Sequence, residues 1–186
     1  SNANISGYGA LLSGVSALRS AFAKLQDSST IAPGTVQSTD TASFLATATS
    51  GTNAAPGFHQ VLVKAVAKAQ SDISGAFGDG TSTVNGGSPF DLVITPNSGA
   101  AKTLNLAANS TVNDVISAIN SAGIGLTASL VNTGAANTPY QIVITANKTG
   151  VASGFSITDS SGALGITPVT PPQDASLNID GIDMTR

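Results

Sequence analysis

The chain has 186 residues, enough for one or two small domains with a real core, and its charged residues are only 9% against 41% apolar ones. A net charge of −3 with seven scattered basic residues leaves no cationic stripe for nucleic acid, and the lack of cysteine removes disulfides and thiolate metal sites. No apolar run reaches the roughly 18 residues of a spanning helix, so neither membrane insertion nor a nucleic-acid partner is expected.

Aromatic residues are 4%, so the core must come from Val, Ile, Leu and Ala. All ten acidic residues are Asp, which suits turns and caps better than helix interiors. That usage agrees with a mostly β chain full of Ser, Thr, Asn and Gly loops, and with the helices read below the fold class is α+β, mostly β.

Ser1, Asn2 and Ala3 read as a cleavage remnant and are set aside; with no initiating Met, the chain is expected to be excised from a longer protein. Residues 4–26 predict a helix. Tyr8, Leu11, Val15, Leu18, Phe22 and Leu25 step by three and four, the 3.5-residue seam of a coiled coil. Such a seam needs a partner, and no second helix of matching length follows. It either docks on the chain's own sheet or awaits a helix from elsewhere.

Asp27-Ser-Ser and Pro33-Gly34 end the helix. Thr35–Ser38 and Ser43–Thr49 are short strand candidates, and Asn53–Gly57 is a turn. Phe58–Ala67 is the strongest strand of this half, with Val61, Val63 and Ala65 on one face. Ser74–Ser88 is Gly-rich and polar, a linker by composition.

The most coherent pattern follows. Phe90–Thr95 and Lys102–Leu106 read as strands, Thr111–Ala122 as a helix, and Leu126–Val131, Tyr140–Ala146 and Gly154–Ile157 as strands again. Ser110 or Thr111 caps the helix, Asp114 suits its first turn, and Gly123 ends it. Val112, Val115, Ile116 and Ile119 form one apolar stripe, expected to lie on a single small sheet. Ser88–Thr158 is expected to fold as a separate unit.

Gly162–Pro172 reads as a second linker. Leu177 and Ile179, then Asp180-Gly181, then Ile182 and Met184 predict a type I′ hairpin. Because strand-like pieces lie on both sides of the bracketed module, an insertion is the expected topology.

Little here suggests covalent chemistry. His59 is the only histidine, in a strand candidate with no nucleophile to activate, and no G-x-S-x-G elbow exists. Asn178-x-Asp180-Gly181-x-Asp183 lacks the length and bidentate Glu of a calcium loop, so the hairpin reading prevails. Phe77-Gly-Asp-Gly and Asn85-Gly-Gly carry no Lys or helix start for phosphate. Asp159 and Asp174 show no carboxylate partner. No enzyme activity, cofactor or metal is expected.

The stretch STVNDVISAINSAGIGLTASLVN…PYQIVITANKTGVASGFSI resembles the repeat of flagellins and hook-associated proteins. SGYGALLSGVSALRSAFAKLQDSS resembles the first leg helix of the flagellar filament-capping family, hook-associated protein 2. AAPGFHQVLVKAVAKAQ is similar to that family's Ala-Gly-Thr-Tyr strand, departing from it at Lys64-Ala65-Val66, and the closing hairpin is similar to its Val-Asn-Gly-Ile return.

The resemblance implies a coiled-coil-type leg helix (4–30) and a partial middle β domain (31–77 with 173–186). An outer head domain (78–172) is inserted between the two parts of the middle domain. It implies a structural factor at the bacterial flagellum tip, secreted through the flagellar channel, that caps the filament and promotes flagellin polymerisation. Implied partners are further copies in a ring, flagellin and, as in some members, host surface ligands. Another flagellar axial protein, such as a junction protein or a flagellin outer domain, and a surface adhesin are the alternatives.

Overall fold

Two antiparallel sheets and one helix share a single aliphatic core, and a third sheet extends from it. The computed structural model describes residues 13–23, 36–39 and 57–186. Residues 13–23 form helix α1, and 36–39 carry no strand, so the expected Thr35–Ser38 strand is not seen there. The strand candidate at Ser43–Thr49 and all but the last residue of the Asn53–Gly57 turn fall outside the described residues.

The strands are β1 (Val61–Ala65), β2 (Ser71–Ile73), β3 (Phe90–Pro96), β4 (Lys102–Leu106), β5 (Leu126–Asn132), β6 (Tyr140–Ala146), β7 (Phe155–Asp159), β8 (Thr167–Thr170), β9 (Ser176–Ile179) and β10 (Ile182–Thr185). Helix α2 (Val112–Ser121) lies between β4 and β5. The sheet orders are β5-β6-β2-β8, β4-β3-β7 and β1-β9-β10.

Helix α2 forms where its sequence predicts and for the expected reason. Thr111 Oγ1 accepts from the Asp114 N–H at 3.3 Å, and Asp114 Oδ2 accepts from the Thr111 N–H at 2.8 Å, a reciprocal capping box. These bonds, the backbone one first, hold the Asp114 carboxyl below the usual carboxylate range. Gly123 follows the helix at φ +67°, a conformation an L side chain would strain. Val112, Val115 and Ile119 are fully buried, each contributing roughly 1.5–3 kcal/mol against exposure.

The five strands around α2 do not form the single sheet expected. Beside Leu92 and Ile94 of β3 and Ile142 and Ile144 of β6, the core takes in Val84 and Leu164 from the two stretches read as linkers. Gly- and Ser-rich composition misleads there, because a few apolar side chains, Phe77 with Val84 and Leu164 with Ile166, are enough to anchor each stretch. The Asp159 carboxylate further ties the second stretch by accepting the Leu164 N–H at 2.8 Å. Strands β2 and β8, both outside 88–158, pair with each other, and β2 also pairs with β6. The 88–158 stretch is therefore not a unit by itself.

Chain entry and exit run as one antiparallel ribbon. β1 pairs with β9, Lys68 bridges Gln173, and β2 pairs with β8. Buried Gln70 locks this ribbon to β7: its Nε2 donates to the Phe155 carbonyl and its Oε1 accepts the Phe155 N–H, both at 2.8 Å. Gly154 allows the approach, since a Cβ there would collide with Asn97 Nδ2 and stand 2.8 Å from Pro172 Cγ.

Candidate functional site

On helix α1 the described seam residues Val15, Leu18 and Phe22 follow the three–four spacing, and each is nearly 60% exposed. Tyr8, Leu11 and Leu25, the other seam positions, fall outside the described residues. The described part of the seam is an aliphatic and aromatic stripe facing solvent. Full burial would contribute roughly 1.5–3 kcal/mol per side chain.

A second apolar surface lies on β1-β9-β10. The register places Val61 beside Ile179 and Ile182, and Val63 beside Leu177 and Met184. Alternation puts all six side chains on one face. None belongs to the core cluster, and Ile182 is 68% exposed. The sequence expectation put Ala65 on the same face. A register shift at Lys64 breaks the alternation: Ala65 pairs with Ser176, the neighbour of Leu177, and so leaves that face. Each strand's alternation is visible in the sequence, but the phase between β1 and the distant hairpin comes only from pairing.

The opposite face sets exposed Leu62 beside the polar Asn178 and Asp183, and the turn is polar and internally bonded. Asp180 and Gly181 have φ of +51° and +90°, as a type I′ turn requires. His59 Nδ1 pairs with Asp180 Oδ2 at 2.5 Å, and Asp180 Oδ1 accepts the Gln60 N–H at 2.8 Å. The His59 bond first, then Gln60, lowers the Asp180 carboxyl below the ordinary range. Asp183 is lowered by the Asn178 amide, with Lys64 adding to it. These bonds engage every side chain of the calcium-like pattern in holding the hairpin. Among the described residues, no three His, Cys, Asp or Glu side chains group as metal ligands, and no helix is long and apolar enough to cross a membrane.

Residues 1–70 match the family model described as the flagellar hook-associated protein 2 N-terminus. Nothing matches among curated proteins. The fold is similar to the D2-D3 domains of the flagellar cap protein FliD from Serratia marcescens, at 26% identity and TM-score 0.61, covering 72% of this chain and 78% of that one. The Escherichia coli D2-D3 domains give 25% identity and TM-score 0.63, covering 74% and 77%. Against the longer Escherichia coli D1-D2-D3 structure, identity is 26% and TM-score 0.63, and the match covers 72% of this chain but only 44% of the other.

Proposed function

We propose that the chain is a member of the hook-associated protein 2 family of flagellar cap proteins and works by assembly, without covalent chemistry, at the filament tip. In this reading 4–30 begins the leg, 31–77 with 173–186 makes part of a middle β domain, and 78–172 is the inserted head. The return of the chain along its own entry ribbon supports the insertion.

The observation that carries the proposal is the α1 stripe of Val15, Leu18 and Phe22, which is apolar, regularly spaced and exposed. A seam of this kind is stable in water only with a partner helix. In the complete protein, helices from another part of the chain occupy it and hold the leg. The one-sided apolar face of β1-β9-β10 is a middle-domain sheet awaiting its second layer. Other copies in a ring and flagellin are the partners, and the outside of the cell at the flagellum tip is the location.

Leu18→Asp in the full-length protein tests this. A buried aspartate in the seam destabilises the leg, so filament growth, read as swarm diameter and filament length, should fall sharply. The β sheets should stay folded by circular dichroism. Normal filaments with this variant would remove the main support for the cap assignment.

A further inference from the structure

The two core sheets have four edges, and three of them are blocked. On β5, the Asn120 side chain both donates to the Ala128 carbonyl and accepts the Ala128 N–H, at 2.9 and 2.8 Å. On β7, Gln70 does the same to Phe155. On β8, Pro168 has no N–H to offer. Such devices keep an edge from pairing with another chain.

Edge β4 carries none of them. Among the described residues it pairs only with β3, and Lys102 and Asn105 turn elsewhere: Lys102 Nζ donates to the Ala122 carbonyl and Asn105 Nδ2 to Asp91 Oδ1. The one charge that would discourage strand addition is thus drawn off to the end of α2. Beside this edge runs an open groove between Lys102–Asn105 and the small residues Ala118, Ser121 and Ala122 of α2.

We propose that β4 is an interface on which a second copy of this chain adds its own β4 antiparallel, joining the two β4-β3-β7 sheets. An antiparallel edge is complementary to itself, because N–H and C=O alternate with the same spacing on both copies. Thr103, Leu104, Asn105 and Leu106 bring no like charges together. The small α2 residues leave room for the partner's helix on the same face. Five residues a side make a small interface, below the roughly 1,200 Å² of a standard stable one, so the contact is weak alone. Being two-fold, it joins two copies and stands apart from the head-to-tail contacts that close a ring. The inference rests on the assembly reading only in taking another copy as the occupant.

Sedimentation equilibrium of the whole chain tests it, with Leu18→Asp present throughout to silence α1. A weak, concentration-dependent dimer is expected. Thr103→Pro and Leu104→Pro are then compared. Successive N–H groups point to opposite sides, so one proline falls on the free edge and the other breaks a bond to β3. The variant that keeps the parent melting temperature should lose about tenfold or more in affinity, the effect of one or two backbone hydrogen bonds. Thr103→Lys, at an exposed position, should keep the fold and weaken the dimer through repulsion across the pair. A chain that stays monomeric at the highest soluble concentration, or fold-preserving variants that associate like the parent, would overturn the proposal. Either result leaves the filament-growth test of the cap reading untouched.

Discussion

Helices α1 and α2 carry the same kind of stripe and meet opposite fates. In α2, Val112, Val115 and Ile119 are fully buried under two sheets, and the helix is closed at its start by Thr111 and Asp114. In α1, Val15, Leu18 and Phe22 keep more than half their surface in water. An apolar stripe states that a face needs covering and leaves open whether the cover belongs to the same stretch of chain. For α2 the cover is local; for α1, in the cap reading, it comes from elsewhere.

That contrast is sharpest in paired truncations. Ile119→Ala should cost ~2–5 kcal/mol, as a cavity in a close-packed core does, whereas Leu18→Ala should stay within about 0.5 kcal/mol. Urea titration of both variants in this chain measures the difference. Equal costs would show that α1 is covered after all.

Next in size is the lock between ribbon and core. Gln70→Ala leaves the Phe155 N–H and carbonyl without their partner and should cost about 1–3 kcal/mol. Amide hydrogen exchange should quicken at Phe155 more than at β3. A uniform change across the core would mean that Gln70 acts on global stability and not as a local tie.

Smaller still is the cap of α2. Thr111→Ala should cost about 1 kcal/mol and fray the first turn, with no counterpart on α1. Because the Asp114 carboxyl is held below its ordinary value, its part of the box is present at neutral pH and is lost as pH falls below that range. Helical circular dichroism of the variant and parent from neutral to acidic pH checks both statements.

The smallest effect comes from Asp72, which is buried in β2. Burial raises its carboxyl above the ordinary 3.8, and the Gln70 amide offsets only part of that. The folded chain therefore holds a proton that the unfolded chain releases, and stability falls as pH rises from 3.8 through the higher folded value. Asp72→Asn keeps an oxygen for Gln70, so it should flatten that slope and leave neutral-pH stability equal or higher. Thermal melts of both chains across acidic pH give the comparison.

Much of the local structure is legible in the residues. The capping box, the Gly123 stop, the β3 and β4 boundaries and the Asp180-Gly181 turn follow from nearest-neighbour sterics and hydrogen bonds, which a short window contains. The Gly- and Ser-rich stretches mislead for the converse reason. Val84 and Leu164, with Phe77 and Ile166 beside them, are widely spaced apolar residues among Gly and polar ones, and only the distant parts of the core give them somewhere to go.

The residues alone were enough for the bounds of α2, β3 and β4, for the mostly β character of the chain, and for a seam over residues 4–26 in want of a partner; they did not reveal β2 or β8. Composition and spacing act within a few residues, and they are enough for that. Long-range packing sets the rest: the division of the core strands between two sheets, the joining of β2 and β8 to the core, and the meeting of β1 with β9 that puts Val61, Val63, Leu177, Ile179, Ile182 and Met184 on one face. Those outcomes depend on pairing register between segments far apart in the chain, β1 and β9 more than one hundred residues, where a shift of one residue turns every side chain to the other side.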